Sequence, residues 1–180
     1  DHDTAPEVLG FDAKEHVLVL QWLAPDTHPG WKAQLMGGHV DVATASLLGA
    51  RLGALHREGT ALFADARRRP VWDAAAPLFE TLRIQPHLVT TAERVPEVAG
   101  ALLAIAASLR ATRTTIIHGD VNPKNVLVGP NGPMIIGAEC ACSGDPAFDV
   151  AFLLNHMLLK SVHLPASAAS LRSAAEAFWA

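Results

Sequence analysis

The chain has no tyrosine and only two cysteines, Cys140 and Cys142, among its 180 residues. Two thiols cannot build the disulfide framework of a small secreted domain, so a reducing compartment, the cytoplasm, is the expected location. They do not form a zinc site either. One residue separates them and no second pair follows, so both read as small buried thiols. An excess of positive charge is also missing. The formal net charge is -4 with a sequence pI of about 6.1, which leaves no electrostatic footprint for gripping nucleic acid. Long apolar runs are absent too: the longest, residues 98–109, falls short of the roughly 20 helical residues that cross a bilayer. The opening Asp-His-Asp-Thr-Ala-Pro lacks the basic segment and apolar core of a secretory signal. Neither nucleic acid nor membrane is an expected partner. What the chain does have is apolar material, half of its residues, enough to bury a sizeable core.

Periodicity organises the rest. Residues 7–12 and 16–22 are β-prone runs that predict an antiparallel hairpin, and the turn-rich stretch 25–30 breaks the chain before a short helix over 31–36. Asp41 is placed to cap a helix over 42–58, with Leu47, Leu48, Leu52 and Leu55 as its apolar stripe and Gly59 as its end. Helices are predicted over 71–82 and 97–110, the latter opened by Pro96. Arg67, Arg68 and Arg69 read as a solvated turn ahead of both. Short strands are then predicted at 115–117, 126–128 and 134–136, with a turn at Gly129-Pro130-Asn131-Gly132. Helix resumes over 147–160 and again after Pro165. The composite is α+β and mostly helical, with the chemistry-bearing loops among the short strands.

The principal constellation is His118-Gly119-Asp120-Val121-Asn122-Pro123-Lys124-Asn125, bounded by two of those strands. Phosphoryl transfer needs a carboxylate beside the attacking hydroxyl and a ligand for the magnesium on the nucleotide phosphates. An Asp and an Asn five apart in a tight loop can supply both, Asp120 as base and Asn125 as metal ligand. The plainer alternative is a surface loop in which both side chains merely bond to backbone. Downstream, Gly144-Asp145-Pro146-Ala147-Phe148-Asp149 follows a hairpin and leads into an apolar helix. Together these segments resemble the catalytic region of the aminoglycoside phosphotransferase and choline kinase superfamily, with a methylthioribose-kinase-like flavour. Leu52-Gly53-Ala54-Leu55-His56 is similar to that family's helix ending in Leu-His, and the strand ending at Gln21-Trp22 resembles its interlobe segment.

The resemblance implies a protein-kinase-like fold in which residues 25–180 are the large helical lobe and 1–24 a remnant hairpin and linker. The expectation is a piece truncated at both ends, its partner the missing small lobe. It implies transfer of the γ-phosphoryl group of ATP or GTP, with Mg²⁺, to the hydroxyl of a small-molecule acceptor. Leu20, Gln21, Trp22 and Leu23 become candidate nucleotide contacts, His118 an organiser of the catalytic loop, and Asp145 and Asp149 loop-structuring carboxylates. His56, His156 and His163 read as polar-edge or core residues. Two departures stand out. The phosphate-covering loop and its strand lysine are not found, and Lys14 and Lys32 lie in the wrong context to replace that lysine. Gly137 occupies the position where the family places a metal-binding Asp, which leaves Glu139 as the nearby acidic residue. These departures favour an alternative, a non-catalytic binding or relic domain, and an inactive isolated chain is the expectation.

Overall fold

The computed structural model describes residues 3–180. The chain forms two compact units, the first comprising Asp1–Arg51, Val121–Ile136 and Leu153–Ala180, the second Leu52–Asp120 and Gly137–Phe152. Small antiparallel sheets accompany a majority of helix, an α+β arrangement.

In the first unit β1 (Val8–Asp12) pairs antiparallel with β2 (Val17–Leu20). Asp12 shapes their connection, its Oδ1 accepting the N–H groups of Lys14 and Glu15 at 2.9 and 3.1 Å. Almost all the apolar side chains of this hairpin are exposed, Phe11 at 70% and Val8 at 60%. Helix α1 (Trp31–Met36) buries Trp31 and Leu35. Strands β4 (Val126–Gly129) and β5 (Gly132–Ile135) form a second hairpin, tied to the segment before α1 by a bridge from Gly30 to Leu127. Arg51 staples that hairpin: its guanidinium donates to the carbonyls of Asn131, Pro133 and Asp3. A buried cation satisfied by carbonyl dipoles avoids the cost of an unpaired charge. Helix α8 (Ala168–Trp179) buries Leu171, Ala174 and Phe178.

The second unit holds α3 (Arg69–Ala74), α4 (Ala76–Phe79), a π-helical stretch (Glu80–Val89), α5 (Thr90–Arg94) and α6 (Pro96–Ala111). Its sheet pairs β3 (Thr115–Ile117) with β6 (Cys142–Gly144), antiparallel. Phe79, Ile84, Ala106, Ile117 and Cys142 form its core, with Phe148 packed edge-on to Phe79. Helices α2 (Val42–Ala64) and α7 (Ala147–His163) contribute residues to both units. Asp41 caps α2. Its carboxylate accepts the Thr44 hydroxyl at 2.7 Å and the N–H groups of Ala43 and Thr44, and the Thr44 bond holds it below the usual carboxylate range.

Three expectations are corrected. Helix α2 does not stop at Gly59 but runs to Ala64. The glycine is there for closeness, because a β-carbon on it would stand 2.8 Å from Thr115 Oγ1 and 3.0 Å from the Ile116 carbonyl. The helix predicted over 71–82 is instead α3, α4 and the π-helical stretch. Pro86 inside that stretch lacks an N–H and its ring crowds the preceding turn, which the wider π-helical spacing relieves. Finally, the third strand lies at 132–135 rather than 134–136, and β6 was not foreseen.

Candidate active site

Asp120 closes the second unit's longest segment, directly after β3, and it is 3% exposed. Its backbone N–H donates to His118 Nδ1 at 3.2 Å. Its carboxylate is ion-paired with Arg83, whose Nη2 lies 2.8 Å from Asp120 Oδ1. The same guanidinium donates from Nε to the Gly119 carbonyl at 2.8 Å and from Nη1 to the Leu82 carbonyl at 2.9 Å. It also lies 5.7 Å from the centre of the Phe152 ring. Arg83 thus grips both the carboxylate and the peptide just before it, a fork that fixes direction as well as charge. His87, one turn along the π-helical stretch, is held below the ordinary imidazole range by burial and by the Arg83 charge, against a smaller opposing pull from Asp120.

The peptide groups ahead of Asp120 hang on Asp149, which is completely buried. Its Oδ2 accepts the His118 N–H and its Oδ1 the Gly119 N–H, both at 2.8 Å. His56 Nε2 donates to the same Oδ2 at 2.9 Å, and the Thr115 hydroxyl bonds the His56 carbonyl at 2.6 Å. Two buried amides and an imidazole therefore bond one buried carboxylate, the satisfaction a buried polar group requires. Gly119 is forced: its φ is 77°, and a β-carbon would fall 2.6 Å from the Cys140 carbonyl.

The remaining sequence candidates are placed as follows. Asp145 caps α7, its Oδ1 accepting the Ala147 N–H at 2.9 Å. Gly137 is left-handed, with φ 78° and ψ 47°, and it opens a short 3-10 turn in which Glu139 is exposed. In the first unit Asn125 is buried at the end of another short turn begun by Asn122, whose side chain accepts the Lys124 N–H at 3.0 Å. Leu23 is buried, whereas Trp22 is 80% exposed and Leu20 and Gln21 are exposed. His118, Asp120 and Asp149 are thus brought into one bonded cluster, together with His56 and with Arg83, which the sequence reading did not single out. Cys140 and Cys142 are both buried.

Magnesium coordination draws on carboxylate oxygens. Residue 137 brings no side-chain oxygen, Glu139 points its charge at solvent, and no group of three His, Cys, Asp or Glu side chains converges among the described residues. The residues present do not fit the metal.

The model of the phosphotransferase enzyme family matches residues 2–174, and the chain belongs to that family. No curated protein matches it.

Proposed function

We propose that this member of the phosphotransferase enzyme family derives from, and with a covering small lobe acts as, a small-molecule kinase. It moves the γ-phosphoryl group of ATP or GTP to an alcohol. The observation that carries the reading is the Asp120 carboxylate, buried, 2.8 Å from Arg83 Nη2 and set on the Asp149-held loop. In the reaction the acceptor oxygen bonds to the γ-phosphorus as the bond to the β–γ bridging oxygen breaks. The nucleoside diphosphate leaves, and the hydroxyl proton passes to Asp120. Arg83 holds the carboxylate pointed while this happens. Residues 25–180 serve as the large lobe, and Leu20 to Leu23 serve as the nucleotide-facing linker. The exposed apolar hairpin of β1 and β2 supports a covering small lobe as partner. The site is read as cytoplasmic, and no helix among the described residues is long and apolar enough to cross a membrane.

The second reading, a kinase-fold domain without catalysis, is favoured by Gly137. Substitution tests the two against each other. The left-handed backbone at 137 is one that Asp tolerates better than most side chains. In a form bearing a complete small lobe, Gly137→Asp is expected to raise phosphoryl transfer at least about tenfold, or about 1.4 kcal/mol of transition-state stabilisation. Adding Asp120→Asn should erase the gain. A folded Gly137→Asp protein that binds nucleotide yet transfers no faster to any acceptor in a broad panel of alcohols would establish the non-catalytic reading.

A further inference from the structure

The second unit holds a cavity of about 410 Å³ that none of Arg83, His118, Asp120 and Asp149 lines, and every residue lining it belongs to that unit. Small-molecule pockets run from roughly 300 to 1,000 Å³, so its occupant is small. Part of its wall is the unit's core: Phe79 and Ile84, only 7% and 1% exposed, together with Leu109. The guanidiniums of Arg110 and Arg113 and the carboxylates of Glu80 and Asp73 share the lining with these apolar side chains. The four charges are unevenly matched. Arg110 takes Glu80 through two bonds, Nε to Oε2 at 3.0 Å and Nη2 to Oε1 at 2.6 Å, and Gln85 donates to the same carboxylate at 2.9 Å. Asp73 accepts the buried Ser143 hydroxyl on Oδ1 at 2.5 Å. Arg113 is left with the remainder: its Nη1 lies 3.4 Å from that already engaged Oδ1 and donates to Ser143 Oγ at 3.2 Å. Among the described residues no hydrogen bond or ion pair uses its Nε or Nη2. Those two N–H groups form the edge of a guanidinium that takes a carboxylate bidentately. Such an edge beside a wall of core side chains suits an acid with an apolar body.

We propose that this cavity binds a small monocarboxylate with an apolar body about the size of a benzene ring. Arg113 holds the carboxylate through Nε and Nη2, and the body lies against Phe79, Ile84 and Leu109. Asp73 and Glu80 restrict the charge the site accepts, since a second negative group on the ligand would face their carboxylates. A neutral molecule of the same shape gains the apolar contact alone and forgoes the charge-assisted pair. None of the residues given a part in phosphoryl transfer takes part here, so the site stands apart from that reading.

The test is a calorimetric titration of the full chain with phenylacetate, and separately with phenethylamine and benzyl alcohol as its cationic and neutral counterparts. Phenylacetate should saturate one site per chain, and the other two should bind at least about tenfold more weakly. Arg113→Gln changes a side chain that is 40% exposed, so the protein should stay folded by circular dichroism while phenylacetate binding weakens at least about tenfold. Ala76→Phe keeps Arg113 and fills the cavity from the first residue of α4, and it should abolish binding. The comparison of the three probes on the parent chain decides the matter even where a variant fails to fold. No saturable binding of phenylacetate would overturn the proposal. So would binding of all three probes with similar affinity, or phenylacetate binding that survives either substitution in a folded protein.

Discussion

Asp149 satisfies three donors with two oxygens, and every one of them is charge-assisted. Asparagine cannot copy that. Its single carbonyl oxygen would keep one or two of the bonds while its NH₂ group faced another donor, so Asp149→Asn should destabilise the protein by about 3–5 kcal/mol, read from urea unfolding. A change within about 0.5 kcal/mol of the parent would mean that the loop is held by something else. The bonded loop around Asp120 was legible because it is contiguous: eight residues carry the candidate base, the loop and the metal-ligand candidate in order. Arg83 was not, since it lies 37 residues before Asp120 and nothing in Glu80-Thr81-Leu82-Arg83 distinguishes a buried fork from a solvated charge. Only the fold brings its Nη2 to 2.8 Å from Asp120.

Helix α2 shows how an element can contradict propensity. In an isolated helix, Gly59→Ala would gain about 1 kcal/mol from the better helix former. Here the new methyl would press on Thr115 Oγ1 and the Ile116 carbonyl, both at 3.0 Å or less. The expected outcome is a loss of about 1–3 kcal/mol by overpacking, measurable as a lower thermal midpoint, and a stabilised variant would show that the helix and β3 can part. The same close approach hid the helix's true end from the sequence, where glycine normally signals a stop. Strand β6 was hidden for another reason. Cys142-Ser143-Gly144 has little β-propensity, and the strand exists because Thr115 to Ile117 offer it a ladder. The π-helical stretch was beyond reach as well: Pro86 announces a break, yet its neighbours keep the helix and change its pitch. By contrast α1, α6 and the first hairpin followed their local patterns closely, because caps, prolines and alternation act over a few residues.

At the scale of the whole molecule, folding is linked to the ionisation of one thiol. Burial pushes Cys142 from an ordinary value of 9.0 up to about 12, with the Arg113 charge opposing weakly. Below pH 9 both folded and unfolded chains keep the proton. As pH rises further the unfolded chain gives it up and the folded chain does not, so stability is lost progressively through the interval up to about 12. Urea midpoints measured between about pH 8 and pH 10.5 should therefore fall more steeply for the parent than for Cys142→Ala. Parallel slopes would show that the thiol does not limit alkaline stability. The complete absence of tyrosine also leaves the molecule optically simple. Its near-ultraviolet emission comes from tryptophan alone, and two of these indoles sit in opposite surroundings: Trp31 is 1% exposed and Trp22 is 80% exposed. Trp22 belongs to the stretch proposed for the nucleotide, so a base stacking there would quench its share of the red, solvent-relaxed emission, leave the share of Trp179, which is 72% exposed, and spare the blue part from Trp31, giving the protein a fluorescent reporter of its own.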